Sequence, residues 1–216
     1  MAGSLLSTDV AEDLSGMSRP SGPADVYFSA DVETDGSIPG VYSMLSFAFV
    51  YAGRFDGEDF IRPPNLEQSF YRELKPISND YEPEALKVNQ LDRDRLCQFG
   101  DEPGEAMTEA AKWVLSVAAS ASPILVAYPL SFDWAWLYWY FMKFSKIGSP
   151  FNHSLCFDVK TAFAVKAKLP ISQSGRSRLT SVLKSTRRHS HHALDDAIEQ
   201  AEVFANIFEW QGKGGG

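Results

Sequence analysis

From Val26 to Glu33 apolar and polar residues alternate, with Val26, Phe28, Ala30 and Val32 on one side and Tyr27, Ser29, Asp31 and Glu33 on the other. This is the period of a strand, and the strand ends in acids. Residues 43–53, rich in Phe, Val and Tyr, suit a second strand, 54–57 a turn and 68–74 a third strand. Short links between consecutive strands predict an antiparallel meander. The texture then changes. Residues 83–88 read as a short helix, and Pro103 opens a longer one reaching about 120, with Glu105 near its positive end. Met107, Ala110, Ala111, Val114 and Val117 form the inner face of that helix. The run 123–127 is short, apolar and β-branched, as in a central strand covered on both faces. Ser131 is positioned to cap a helix over 132–144, and Phe157 and Asp158 end a short strand. Asp158 can cap a following helix over 159–168. A loop with Pro170, Ser174 and Gly175 leads to a basic helical segment at 178–186 and a last helix at 192–210. The whole is an α/β domain with a mixed sheet, spanning 24–210, without repeats or a second domain. Residues 1–23, rich in Ser, Gly, Asp and Pro, read as a mobile leader, and the Gly-rich tail 211–216 is expected to fray.

Composition narrows the class. The 216 residues suffice for one medium core, and the two cysteines, Cys97 and Cys156, form no metal or disulfide motif. A cytoplasmic location follows as the expectation. No uncharged apolar run approaches ~18 residues, so no membrane span is expected. The first residues lack the basic and apolar regions of a signal peptide. The net charge of −8 argues against a simple cationic coat for nucleic acid. Its distribution is uneven: 159–194 contains no acid and carries +8, leaving −16 for the rest. That segment is either a phosphate-tracking surface or a solvated face balancing an acidic chain. The aromatic run Trp134, Trp136, Tyr138, Trp139, Tyr140 and Phe141 could stack bases, or form core and a homodimer interface.

Four acids in three stretches of the chain carry the candidate chemistry. Asp31 and Glu33, two apart on a strand, project together and repel unless a proton or cation lies between them. A hard divalent ion is the natural solution; the plain alternative is a solvated pair entering the Asp35-Gly36 turn. Asp133 follows a buried strand in Phe132-Asp133, and Asp196 lies in His191-His192-Ala193-Leu194-Asp195-Asp196-Ala197. Either one alone could be an ordinary acid in the first turn of a helix.

Taken in order, Asp-x-Glu ending a first strand, Phe-Asp after a later strand, and His-x-Ala-x-x-Asp-Ala opening the last helix resemble the DEDDh family of 3′–5′ exonucleases. The resemblance runs from about Ala24 to Phe208. It implies a ribonuclease H-like fold, a five-stranded mixed sheet flanked by helices. It implies that Asp31, Glu33, Asp133 and Asp196 hold two Mg²⁺ or Mn²⁺ ions and that His191 is the general base. Of Asp195 and Asp196, the second is the expected ligand. Asp195 shares a helix side with Glu199, Glu202 and Asn206, a polar face, whereas Asp196 is flanked by Ala193, Ala197 and Gln200. Among the neighbouring histidines only His191 stands five residues before Asp196, as the family motif requires; His189 and His192 are expected at the entrance or in solvent. Thr34, Ile38, Arg187 and Arg188 are candidate substrate contacts, with Ile38 replacing a family leucine that wedges the last two bases. Tyr128-Pro129 stands where many members have His-Asn. The expected activity is release of nucleoside 5′-monophosphates from 3′ ends of single-stranded RNA or DNA. RNA is favoured, since a lone compact domain suits trimming of short strands. The rivals are a non-catalytic nucleic-acid-binding subunit and a ribonuclease H-like endonuclease.

Overall fold

A computed structural model describes residues 24–213 of the chain; the expected leader 1–23 and the last three glycines lie outside them. The chain order is β1 (Asp25–Thr34), β2 (Met44–Phe55), β3 (Phe60–Ile61), β4 (Ser69–Glu73), α1 (Pro83–Asn89), α2 (Arg93–Phe99), α3 (Pro103–Ala118), β5 (Ser122–Ala127), α4 (Leu130–Phe144), β6 (Cys156–Asp158), α5 (Val159–Ala167) and α6 (Ala193–Glu209). The sheet runs β3-β2-β1-β5-β6, and β4 shares the outer edge of β2 with β3. Five lateral positions are thus filled by six strands, the sixth being the two-residue β3. β1 pairs antiparallel with β2 and parallel with β5.

The alternation in β1 sorts its side chains between two cores. Val26, Phe28, Ala30 and Val32 pack with Met107, Val114, Trp136 and Phe141 under α3 and α4. Tyr27 belongs to the opposite core, with Val126, Phe163 and Phe204 under α5 and α6. Each large apolar side chain so buried contributes about 1.5–3 kcal/mol. The aromatic run of α4 divides accordingly: Trp136, Tyr140 and Phe141 are core, whereas Trp134 and Tyr138 stack on each other toward the surface.

Two expectations need correction. The segment 178–186 is not a helix but a string of turns after two short 3₁₀ turns, Ile171–Gln173 and Arg176–Arg178. Ser131 does not cap α4: Pro129 holds the cap position, and the free Leu130 N–H donates to Asp158 Oδ1 at 3.3 Å. Asp158 also accepts from Lys160 N and Thr161 Oγ1, so one strand-end acid serves the starts of two helices. Beyond α6, Lys213 N–H donates to Lys166 O at 2.9 Å. β3 and α2 escaped the sequence pattern; α2 buries only Leu96 and so has no apolar period to read.

Candidate active site

The register of the sheet creates the cleft. β5 pairs with β1 only as far as Ser29–Val126, so β1 continues alone toward its acids. A crevice opens where a strand outlives its parallel neighbour, beyond the carboxyl ends of the strands. Asp133, in the first turn of α4, reaches into the gap and accepts the Val32 N–H that β5 no longer pairs, at 3.2 Å. From the other face α6 brings Asp196, fully buried. One carboxylate oxygen each of Asp31, Glu33 and Asp196 lie within 4.8 Å of one another. Asp195 points outward, exposed.

Gln200, one turn beyond Asp196, fixes the fork. Its Nε2 donates to Ala30 O at 2.8 Å, Ser29 Oγ at 3.1 Å and Val126 O at 3.3 Å, bridging β1 and β5 where they part. Its Oε1 accepts from Arg176 at 3.1 Å, whose guanidinium also pairs with Glu199 and lies over the Tyr128 ring. Gln200→Ala leaves these buried β1 and β5 groups unpaired. We expect it to lower unfolding free energy by about 1–3 kcal/mol, measured by urea titration.

The electrostatics are those of crowded acids. Burial, then Asp133, Glu33 and Asp196, raise the Asp31 carboxyl well above its ordinary range, while Arg176 opposes. Burial, then Asp196 and Asp133, push Glu33 up to about 8. Burial pushes Asp133 up to about 7 against the main-chain N–H bonds it accepts and Arg176. An all-oxygen, like-charged donor set of this kind fits hard divalent cations, which would supply the positive charge these carboxylates lack.

His191 and Asp196 are tied through the main chain. Ser190 N–H donates to Asp196 Oδ1 at 2.7 Å and His191 N–H to Oδ2 at 2.8 Å. This holds His191 at φ +58°, in the left-handed region that histidine tolerates better than most residues. His189 and His191 both line the cleft, and His189 Nδ1 lies 3.1 Å from Asp196 Oδ2. His192 is outside, its ring 4.9 Å from Tyr71.

The cleft, of about 530 Å³, is walled by Thr34, Gly36, Ser37, Glu82, Ala85, Val88, Asn89, Tyr128, Phe132 and Arg176 in addition to Asp31, Glu33 and Asp133. Its α1 wall is braced to the end of β1. Asn89 Nδ2 donates to Thr34 O at 2.9 Å, and buried Asp35 pairs with Arg93 at 2.8 Å while accepting Ser43 N–H. Asp35 is therefore a structural ion pair rather than a solvated turn acid. Gly36 is required there, since a Cβ would lie 2.2 Å from the Tyr42 ring.

Of the candidate substrate contacts, only Thr34 lies in the cleft. Ile38 is exposed on the following loop and does not line it. Arg187 faces another groove, with Arg62 and Pro64, and pairs with Glu202 at 3.2 Å; Arg188 is exposed and lines neither. The polar side of α6 and the basic segment explain each other, because Arg176 holds Glu199 while Ser185 and Arg187 hold Glu202. Lys166 caps the end of α6 through the carbonyls of Ile207, Phe208 and Trp210. Neutralising Arg187 and Arg188 together should remove at most one phosphate contact. A salt series of strand binding by anisotropy should show its log–log slope change by no more than about 0.7.

No family model matches the chain. Compared with curated proteins, it is 34% identical over 185 residues to the 3′–5′ DNA exonuclease Cap18 of Escherichia coli, covering 85% of this chain and 91% of that one. The chain belongs to the DEDD-type 3′–5′ exonuclease family. Solved structures agree on the fold of this exonuclease. Cell-death related nuclease 4 (CRN-4) superposes with a TM-score of 0.60 at 13% identity, over 89% of this chain and 66% of that one. E. coli exonuclease I in complex with a dT13 oligonucleotide gives 0.56 at 14% identity, over 88% of this chain and 42% of that one. The exonuclease is thus an α/β protein of the ribonuclease H-like kind and an enzyme acting on nucleic acid from its 3′ end. Among the described residues, no helix is long and apolar enough to cross a membrane. Arg176, Gln200, Asn89 and Glu82 were not singled out as site residues from the sequence. Only Gln200 gave a signal, as a polar residue one turn from Asp196 on the packed side of α6.

Proposed function

We propose that this exonuclease is metal-dependent, acts on single strands, prefers DNA to RNA, and releases nucleoside 5′-monophosphates. The metal requirement rests on one observation: three carboxylates converging within 4.8 Å at the end of β1, with Asp133 beside them. Asp31, Glu33, Asp133 and Asp196 would hold two Mg²⁺ or Mn²⁺ ions. When bound, such ions neutralise the phosphate and stabilise charge on the attacking and leaving oxygens. His191, at the mouth of the cleft, accepts the proton of the attacking water. The new P–O bond comes from that water, and the bond to the 3′ oxygen of the preceding nucleotide breaks. The leaving 3′ oxygen takes a proton from solvent, so the shortened strand carries a 3′-hydroxyl, and the last nucleotide leaves with its 5′-phosphate. Ala85, Val88 and Phe132 offer apolar surface for the flat terminal base, with Ser37 and Glu82 as polar groups at its edge.

The preference for DNA rests on the DNA exonuclease related to this chain at 34% identity, and it replaces the sequence-based expectation of RNA. The test uses 5′-labelled single strands of DNA and RNA with one sequence. A ladder shortening from the 3′ end by single nucleotides, faster on DNA and stopped by chelator, is expected. Internal fragments would instead support the endonuclease reading, no cleavage the binding-subunit reading, and a faster RNA ladder would reverse the preference.

A further inference from the structure

Asp196 belongs to two ligand sets at once. Toward β1 it faces Asp31 and Glu33, an all-oxygen set. Toward the preceding turn it faces His189 and His191, and one ring nitrogen of each lies within 4.8 Å of the other and of an Asp196 oxygen. We propose that His189, His191 and Asp196 form a site for a borderline-soft divalent cation, Zn²⁺ foremost, whose occupation switches the exonuclease off.

The local chain conformation builds this site. Bonds from Ser190 N–H and His191 N–H to the two Asp196 oxygens fold the turn back on α6. The left-handed backbone at His191 then brings its ring against that of His189, with centroids 4.6 Å apart at 74°. His189 Nδ1 already lies 3.1 Å from Asp196 Oδ2. A tetrahedral ion with bonds of 2.0–2.1 Å needs ligand atoms about 3.3 Å apart. The exposed rings can close that difference by rotating, while buried Asp196 stays fixed. His192 cannot join, because its ring lies on Tyr71.

Chemistry separates the two sets. Imidazole nitrogen suits Zn²⁺, Co²⁺ and Ni²⁺, whereas Mg²⁺ takes oxygen ligands. Two imidazoles and one carboxylate leave a fourth position for water. Occupation would engage the His191 ring nitrogen and commit an Asp196 oxygen otherwise available to the set with Asp31 and Glu33. The switching effect rests on the roles proposed above for His191 and Asp196; binding itself does not.

The experiment titrates the chelator-stripped full chain with Co²⁺, followed by its visible absorption, and with Zn²⁺ by calorimetry, in the parent, His189→Ala and His192→Ala. The parent and His192→Ala should show, beside any oxygen-ligated ions, one tight site with a nitrogen-ligated Co²⁺ spectrum. His189→Ala should bind at least about 10–100-fold more weakly, since losing a ligand costs no less than losing its supporting partner. In Mg²⁺-supported hydrolysis, the half-inhibiting Zn²⁺ concentration for His189→Ala, referred to its own uninhibited rate, should rise by the same factor. Equal binding by parent and His189→Ala would overturn the site, and tight binding without inhibition would overturn the switch. If neither Mg²⁺ nor Mn²⁺ supports hydrolysis, the functional reading fails, and the binding comparison still decides the site.

Discussion

Asp31→Asn should abolish hydrolysis and, in chelator at pH 8, should melt at a higher temperature than the parent. Both effects have one cause. Asp31 is the carboxylate on which the others converge, raised by burial and by Asp133, Glu33 and Asp196 together. In the folded metal-free chain Glu33 keeps its proton up to about 8 and Asp133 up to about 7. The unfolded chain releases the same protons near pH 4. Between these limits the folded state binds more protons, so stability is greatest below about pH 4 for these groups and falls as pH rises toward 8. Replacing one acid by a neutral isostere removes repulsion from the remaining ones. Divalent ions should act in the same direction on the parent, raising its melting temperature more at pH 8 than at pH 5, by binding the folded state alone. Thermal melts with and without Mg²⁺ at both pH values, beside an end-labelled hydrolysis assay, provide the check. A destabilised Asp31→Asn, or a parent whose chelated form gains stability from pH 5 to 8, would contradict the crowded-acid account.

His191→Asn should lower single-turnover hydrolysis by roughly 10²–10⁴-fold, the span of a lost general base. Asparagine is the informative replacement, because position 191 has φ +58° and asparagine accepts that conformation where alanine strains. The main-chain bond from residue 191 to Asp196 survives the change, so Mg²⁺ affinity should move little. His192→Ala, at a ring packed on Tyr71, should keep a near-parental rate. Should His191→Asn remain active while His189→Ala is crippled, the proton acceptor is the neighbouring imidazole that touches Asp196.

How much was legible in advance depended on whether a feature is local. The alternation of β1, the Pro-led α3, the apolar β5 and the capped α5 are written in short windows, because backbone period and capping act within a few residues. The acids at 31, 33, 133 and 196 were picked out together by the resemblance to the DEDDh motifs, and the choice of Asp196 over Asp195 followed from the small residues flanking it. What the chain does with its basic segment was not legible. A run of cations reads as a free surface until its partners are known, and the partners Glu199 and Glu202 lie one to two dozen residues away on α6. Asp35 looked like turn chemistry because Arg93, 58 residues on, is invisible to local pattern. Gln200 spans two strands 171 and 74 residues distant, a role that exists only once β1 and β5 diverge. Sequence by itself determined which groups could bind cations and move protons, since that chemistry belongs to the side chains. Tertiary structure alone decided which of them meet, since a buried charge or amide takes its partner from wherever the packing of the sheet and α6 brings one.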